Sequence, residues 1–473
     1  MVIRTKIIAT LGPASWDKEN ILRLARAGVD TFRLNFSHGS YELHQKTLDG
    51  VRQAEQELSE PLAVLADLCG PKIRVGEIPN APVELIEGNS LHIQAEPIAG
   101  NASRLSTTLP AIISSVDVGE HLLLDDGKLD IEVVEVAEKE IRCVVRRGGL
   151  LNPRKGINLP QTLLKVSALT DKDRADARWI ATRPIDYVAL SFVQRPEDVL
   201  ELRALLTAEG SKQHIIAKIE KPQAVANIDA ILEVTDGIMV ARGDLGVEMD
   251  LPSVPVTQKR LVLKAAEAGK PCIVATQMLE SMTQCAVPTR AEVSDVANAV
   301  LDHTDAVMLS GETAVGQFPE EAVRMMDRIV SETQAYHDET YHPCGLAVKA
   351  FPTTAGLANA VHQIMASDKI AAIAVFSNGG DSARMLSKAR PACPILGLSS
   401  QLSTVRRMCL YYGVYSMRID TPEHTSDLLR IAGQLAVEKE LARPGDKLIV
   451  LSGRPLGQSG ATNTLVVHTI PEG

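Results

Sequence analysis

Aromatic residues are scarce. They make up 3% of the chain, too few for a stacking platform that would hold single-stranded nucleic acid. Basic charge is not in excess either: 49 Lys and Arg stand against 59 Asp and Glu, giving a net charge of −10 and an isoelectric point of about 5.7. That balance excludes a general attraction to nucleic acid or an anionic membrane, so any phosphate must be held by a local cluster of cations. No apolar run reaches the length of a membrane span. The opening MVIRTKIIATLGP lacks a small-residue cleavage site and reads as a first core strand, not a signal peptide. The seven cysteines are scattered and no pair has zinc-ligand spacing, which points to reduced thiols in a cytoplasmic protein. Neither G-x-x-x-x-G-K-[ST] nor a usable G-x-G-x-x-G follows a strand, so the nucleotide-binding logic of those folds is missing.

What the chain does have is repetition. Eight short, β-branched-rich runs recur: Thr5–Gly12, Thr31–His38, Leu62–Gly70, Tyr187–Gln194, His214–Lys221, Gly237–Leu245, Pro271–Leu279 and Ala306–Ala314. Their near-continuous apolar character is that of parallel strands buried on both faces. Helical patterns lie between them: an amphipathic stretch Asp17–Ala27 stopped by Gly28, then Pro222–Glu233, Val254–Ala268, and a helix opened by a Thr289/Glu292 capping box and running to Asp302. Strand–helix alternation eight times over predicts a closed (β/α)8 barrel, with an open doubly wound sheet as the alternative.

The alternation breaks after the third run. ELIEGNSLHIQA, GEHLLLDDGKLDIEVVEV and KEIRCVVRRGG alternate in polarity around Gly-Asn and Asp-Asp-Gly turns, the pattern of a small β-rich module. Placed after a barrel strand, it can act as a lid over the barrel's mouth. Beyond the eighth run, strands alternate with helices such as Thr354–Ser367 and Ser426–Glu440 in a further open α/β unit. The expected division is barrel 1–70, β-rich cap 71–166, barrel 167–344 and C-terminal α/β domain 345–473.

Chemistry gathers at the strand ends, where barrels of this class place their active sites. In order these ends offer Pro13; Arg33, Asn35, Ser37 and His38; Asp67, Lys72 and Arg74; Lys218 and Glu220; Arg242, Gly243 and Asp244; Thr276; and Ser310 with Glu312. Arg33, Asn35 and Ser37 lie two apart and so share one strand face, as do Lys218 and Glu220. One polar pair inside an apolar strand is readily structural; many converging on one end of a barrel make a site. Glu220 and Asp244 end adjacent runs, and two hard oxygen donors without His or Cys suit Mg²⁺ or Mn²⁺. Lys218 pairing with Glu220 is the bland alternative. Metal, Lys and Arg together form an electrostatic clamp for a phosphoryl group. A Gly243/Gly246 turn would add backbone N–H groups as a seat for a carboxylate.

The strings TKIIATLGPAS, RLNFSHGS, ADLCGPKIR, LLDDGKL, KGINLP, AKIEKPQ, MVARGDLGVE, ATQMLESM, PTRAEVSDVANAV and MLSGETAVG occur in that order. In these strings and in domain order the whole chain resembles the pyruvate kinases. The resemblance implies Mg²⁺-dependent (or Mn²⁺-dependent) phosphoryl transfer from phosphoenolpyruvate to ADP, giving pyruvate and ATP in the last step of glycolysis, by a cytoplasmic homotetramer. It assigns Glu220 and Asp244 to the metal, Lys218 to the phosphoryl group and enolate, and Arg33 to the phosphate. Gly243, Asp244 and Thr276 fall to the substrate carboxylate, and Thr276 and Ser310 to proton delivery. Pro13, Asn35, His38, Arg74 and Lys155 fall to the nucleotide. A phosphorylated-sugar effector is implied around Ser377, Asn378, Gly379, Gly380 and Ser382, with Gly453, Arg454 and Gly460.

The chain departs from the family pattern at three places. Lys72 stands where many members that require K⁺ carry Glu, beside residues matching Asn35, Ser37 and Asp67 that hold the ion. Its ammonium is expected to pair with Asp67 and make K⁺ unnecessary. Gln161 replaces a Gly, implying a local change of turn in the cap. Asp381 sits in the effector loop, where a negative charge opposes a phosphate. Other readings remain: another barrel enzyme acting on phosphoenolpyruvate or a pyruvate enolate, or a sugar-phosphate-binding relative without catalysis. The first would lack the cap or need a phosphocarrier histidine domain; the second would lack Lys218, Glu220 or Asp244.

Overall fold

The structure, a computed structural model, describes residues 4–162, 167–340, 352–456 and 462–472. Eight parallel strands close into a barrel: Lys6–Leu11, Thr31–Asn35, Ala63–Asp67, Tyr187–Leu190, His214–Ile219, Gly237–Ala241, Cys272–Ala275 and Ala306–Leu309. Each pairs with its neighbours in chain order. Closure is made by the eighth on the first, with Lys6 opposite Ala306, and the third pairs with the fourth across the insertion, with Leu65 opposite Tyr187.

Two apolar layers hold the barrel. One face of the strands packs on the helices; the other fills the interior with Ile8, Leu65, Tyr187, Ile216, Met239 and Ile273. Because side chains alternate, the interior positions two residues further along the second, third and fifth strands carry Arg33, Asp67 and Lys218 at the mouth. The helices end as their sequences dictate. Asp17 caps Lys18–Arg26 by accepting from Asn20 N–H, and the Thr289/Glu292 capping box opens Arg290–Leu301. Pro222–Glu233 is broken at Asn227 into two short helices, Pro222–Ala226 and Ile228–Val234.

The strands are shorter than their apolar runs. Ser37 lies beyond the second strand, in the turn, and does not share the strand face with Arg33 and Asn35. The sixth run divides into the strand Gly237–Ala241 and a helix, Arg242–Glu248. That helix replaces the expected glycine turn: Leu245 is fully buried and supplies the apolar anchor that a loop would lack.

The cap holds a six-stranded sheet around its own apolar core of Ile73, Leu91, Leu122, Ile131, Ile141 and Val145, among others. The chain leaves the barrel for it at Gly70, where φ is +69° and an added Cβ would lie 2.7 Å from the Phe192 ring. Only glycine fits there. Gln161 sits in the cap turn, its Oε1 accepting from His121 N–H at 3.0 Å.

The C-terminal unit is a five-stranded sheet in the order Val414–Arg418, Ile395–Ser399, Ala372–Phe376, Lys447–Gly453, Thr462–Thr469, with the last strand antiparallel. It packs beneath the barrel, where buried Lys388 pairs with Asp305 and Tyr187 Oη donates to Arg407 O at 2.6 Å. Among the described residues no helix is long and apolar enough to cross a membrane.

Candidate active site

Three charged side chains from the second, third and fifth strands meet at the barrel mouth. Arg33 Nε donates to Asp67 Oδ2 at 2.7 Å, and its Nη1 donates to Thr10 Oγ1 at 3.1 Å. Lys218 Nζ lies 3.2 Å from Asp67 Oδ1 and 2.9 Å from Glu220 Oε1, and donates to Ser191 Oγ at 2.7 Å. Burial favours neutral Asp67, but Lys218 and Arg33 outweigh it and hold the carboxyl below its usual range. Burial likewise works against the Lys218 ammonium, and Asp67 with Glu220 raises its pKa above that of an ordinary lysine. Asp67 therefore holds both cations in place, and helps keep Lys218 charged, before any substrate arrives.

Glu220 sits one residue past its strand, 1% exposed, with Oε2 accepting from Phe192 N–H at 2.8 Å. Burial raises its pKa; Lys218 opposes the rise, and the neighbouring Asp244 adds to it. Two carboxylates that repel each other in a buried place are the donor set a divalent cation relieves. Among the described residues no cluster of three or more His, Cys, Asp or Glu could hold a metal ion. A pair of hard oxygen ligands still fits Mg²⁺, which keeps several waters and takes further oxygens from substrate phosphates.

Asp244 lies in the first turn of Arg242–Glu248. Helical backbone there leaves first-turn N–H groups without intrahelical partners, but one is spent: Gly243 N–H donates to Thr276 Oγ1 at 2.7 Å. Thr276 Oγ1 in turn donates to Ala275 O at 2.5 Å. Thr276 has φ of 70°, uncommon for a β-branched residue and worth about 1–3 kcal/mol of strain. The strain turns its hydroxyl toward Gly243, so Thr276 orients the helix start on which Asp244 stands. Ser310 begins just past the eighth strand, its N–H donating to Glu312 Oε2 at 2.7 Å. Glu312 is fully buried and also accepts from Leu279 N–H, while Arg242 Nη1 is bound to Asp295 at 2.6 Å. Glu312 and Arg242 brace loops and do not face the cleft as free charges.

Around the rim, Pro13, Ser37 and His38 are exposed, and Asn35 Oδ1 accepts from Ser37 N–H at 3.1 Å. Arg74 and Lys155 come from the cap. Arg74 Nη1 donates to Arg154 O at 2.8 Å, and Lys155 Nζ lies 2.8 Å from Asp125. Lys72 does not pair with Asp67 as expected. It is exposed, and both Asp67 oxygens are already taken by Arg33 and Lys218, which approach from inside the barrel while Lys72 follows the chain outward after Gly70.

Two features escaped the sequence reading. Ser191, just past the fourth strand, bridges Lys218 to Leu68 O, to which it donates at 2.8 Å. It occupies the place one beyond the strand that Glu220, Thr276 and Ser310 occupy on theirs, and that shared offset was its signal. The second is a buried latch. Glu248 Oε1 accepts from Lys221 Nζ at 3.0 Å and from Asn158 Nδ2 of the cap at 3.0 Å. Lys221 follows Glu220, and Glu248 lies one turn after Asp244, so the cap touches the elements carrying both carboxylates.

In the C-terminal unit, Gly380 has φ of +87° and opens the helix Asp381–Lys388; its N–H donates to Ser377 Oγ at 3.1 Å. Asp381 is not an isolated negative charge: Arg384 Nη2 pairs with it at 2.7 Å. Ser382 is buried and bonded to Thr462, Gly453 ends its strand, and Arg454 is exposed. Gly460 lies outside the described residues.

Comparison with known proteins decides the family. A profile described as "Pyruvate kinase, barrel domain" matches residues 2–323, and one described as "Pyruvate kinase, alpha/beta domain" matches 356–468. The chain belongs to the pyruvate kinase family. Similar relatives include "Pyruvate kinase" of Geobacillus stearothermophilus, 41% identical over 99% of this chain and 81% of that one. "Pyruvate kinase" of Methylorubrum extorquens is 41% identical over 97% of this chain and 96% of its own. A crystal structure of a pyruvate kinase from Cryptosporidium parvum superposes with a TM-score of 0.91 at 34% identity, covering 99% of this chain and 96% of that one. The chain is accordingly a phosphotransferase, of a family that generally works with a divalent metal ion and K⁺.

Proposed function

We propose that this chain carries a phosphoryl group from phosphoenolpyruvate to ADP, with Arg33, Lys218, Glu220 and Asp244 as its working groups. The observation that supports this best is the convergence of Arg33 and Lys218 on Asp67 beside two mutually repelling carboxylates. A β-phosphate oxygen of ADP attacks phosphorus, the bond from phosphorus to the enol oxygen breaks, and the enolate left behind takes a proton at carbon. Charge leaves one oxygen and appears on another throughout, so fixed cations do most of the catalysis. Arg33 grips the phosphate, and Lys218 neutralises the phosphoryl oxygens and then the enolate oxygen. Glu220 and Asp244 would hold Mg²⁺, which supplies further positive charge when bound. Thr276 and the remaining first-turn amides receive the substrate carboxylate, and Thr276 and Ser310 lie on the proton's route. Pro13, Asn35, His38, Arg74 and Lys155 receive the nucleotide, Lys155 exchanging Asp125 for a phosphate as the cap closes and excludes water. Coupled detection of pyruvate from phosphoenolpyruvate, ADP and Mg²⁺ tests the reading; no pyruvate above background would end it.

The metal assignment has its own test. Glu220→Ala or Asp244→Ala should weaken Mn²⁺ binding, followed by paramagnetic relaxation of water protons, by roughly tenfold or more. Unaltered Mn²⁺ affinity in both variants would remove these residues from the metal.

Three further assignments belong to the same reading. The enzyme works without K⁺, its place taken by charge from Lys72. It assembles as a homotetramer, supported by exposed Leu251, Val256, Leu263 and Val287 on the barrel exterior. The loop Ser377–Ser382 with Gly453 and Arg454 takes a phosphorylated sugar, and Asp381 disfavours a bisphosphate. In calorimetric titrations a hexose monophosphate should bind more tightly than fructose 1,6-bisphosphate, and Asp381→Ala should tighten the bisphosphate several-fold by freeing Arg384. Tight bisphosphate binding that ignores Asp381→Ala would show the charge to be irrelevant.

A further inference from the structure

The barrel's lower face, opposite the active site, meets the C-terminal unit around a polar cavity of about 670 Å³. Its barrel wall carries Arg183, in the loop before the fourth strand, and Lys212, in the loop before the fifth. Its other wall carries Thr404 and Arg407, on the helix Leu402–Met408, and Asn378, just past the strand Ala372–Phe376.

The charges here are unbalanced in a protein whose net charge is −10. The lining carboxylate, Asp186, is buried and committed to Arg52 Nη2 at 2.9 Å and Val64 N–H at 2.8 Å. Arg406, also in the lining, is committed to Glu55, with Nε 2.8 Å from Oε1. Among the described residues no carboxylate pairs with Arg183, Lys212 or Arg407. Arg183 lies 3.9 Å over the Trp179 ring and donates to neutral oxygens of Trp179, Thr182 and Gln45, which orient it without cancelling its charge. Lys212 is exposed. Arg407 Nη2 donates to Thr404 Oγ1 at 3.0 Å, and its Nε is buried with no partner. Nearby His214 does not restore balance: burial pushes it down to about 4, with Arg407, Arg384 and Arg203 adding to the fall against Asp236.

Three uncancelled cations around a cavity, backed by hydroxyl and amide groups, match the terminal oxygens of a phosphate monoester. The volume exceeds that of a bare phosphate and leaves room for an attached group the size of a sugar. We infer that this cavity binds a small phosphorylated metabolite that bridges the barrel and the C-terminal unit. It is a second anion site that shares Asn378 with the loop Ser377–Ser382 and is otherwise lined by different residues. Thr404 Oγ1 both accepts from Arg407 and donates to Asn378 O at 2.7 Å, so a ligand that turns Arg407 pulls on that loop.

The test is calorimetric titration of the full chain with inorganic phosphate, glucose 6-phosphate and 3-phosphoglycerate, with glucose and malonate as controls. Wild type should bind at least one phosphorylated probe. Lys212→Gln and Arg407→Gln should each weaken it tenfold or more, whereas Arg443→Ala, an exposed arginine of the C-terminal unit outside both proposed sites, should leave that affinity as it was. Lys212 is exposed, so its variant carries no folding risk. Wild-type affinity in Lys212→Gln overturns the inference, as does loss of binding in Arg443→Ala, equal binding of malonate, or no heat from any phosphorylated probe. Binding of the ester without binding of inorganic phosphate supports it and identifies the attached group as part of recognition.

Discussion

Lys218→Met is expected to lower kcat by roughly a thousandfold or more while the protein stays folded. One preorganised donor to a developing oxyanion is worth roughly a hundred- to a thousandfold, and Lys218 is asked to serve two, the phosphoryl oxygens and then the enolate. Removing a partner from a buried ion pair ordinarily destabilises by about 3–5 kcal/mol. Here the orphaned carboxylates have other recourse. Asp67 keeps Arg33 at 2.7 Å, and Glu220, whose pKa is already raised by burial and by Asp244, can take up a proton while Phe192 N–H still holds its other oxygen. The far-UV circular dichroism should therefore match wild type, the melting temperature should drop without the transition being lost, and Mn²⁺ should still bind. KM for phosphoenolpyruvate should move far less than kcat, because Arg33 remains to grip the phosphate. A near-normal kcat in the folded variant would mean that Lys218 only balances Asp67 and Glu220.

Initial rates should change less than about twofold when K⁺ is titrated into buffer free of K⁺, Na⁺ and NH₄⁺, since a charge already supplied leaves little for an ion to add. Lys72→Glu should reverse this, making activity rise by about a hundredfold with K⁺, equivalent to ~2.7 kcal/mol of transition-state stabilisation. Lys72 does not act by pairing with Asp67, whose oxygens are occupied. It stands two residues past Gly70, with its N–H on Gly70 O at 2.8 Å, where the chain turns from barrel to cap. From there its flexible stem adds a positive charge at the rim, and the Glu of the variant would instead draw a cation in. Hundredfold K⁺ activation of the wild type would show that the Lys72 charge never reaches the cleft.

The sequence made the barrel legible because eight apolar runs alternating with helices favour a closed barrel over an open doubly wound sheet, and the mouth legible because Arg33, Asp67 and Lys218 interrupt those runs at the positions that face inward. It was less clear about where strands stop. Ala241 and Arg242 are consecutive in an unbroken string, yet the backbone changes from strand to helix between them, since Leu245 finds burial only in the helical form. The final antiparallel strand, Thr462–Thr469, was missed because no helix follows it and its alternation is that of an edge. Partnerships were the least visible: nothing in the order of residues shows that Arg384 offsets Asp381, or that Asp67 is used up before Lys72 can reach it.

The cap carries its own apolar core, and what holds it to the helix Arg242–Glu248 is polar: Asn158 on Glu248, with Lys221 sharing the same oxygen. Swinging the cap away therefore keeps its greasy interior dry and exchanges a protein hydrogen bond to a carboxylate for one to water, a trade of about 1.5–3 kcal/mol. A hinge built this way is cheap to open at any temperature at which the enzyme survives. Its cost is mainly electrostatic, so added salt and dissolved anions, more than heat, set how long the door stands ajar.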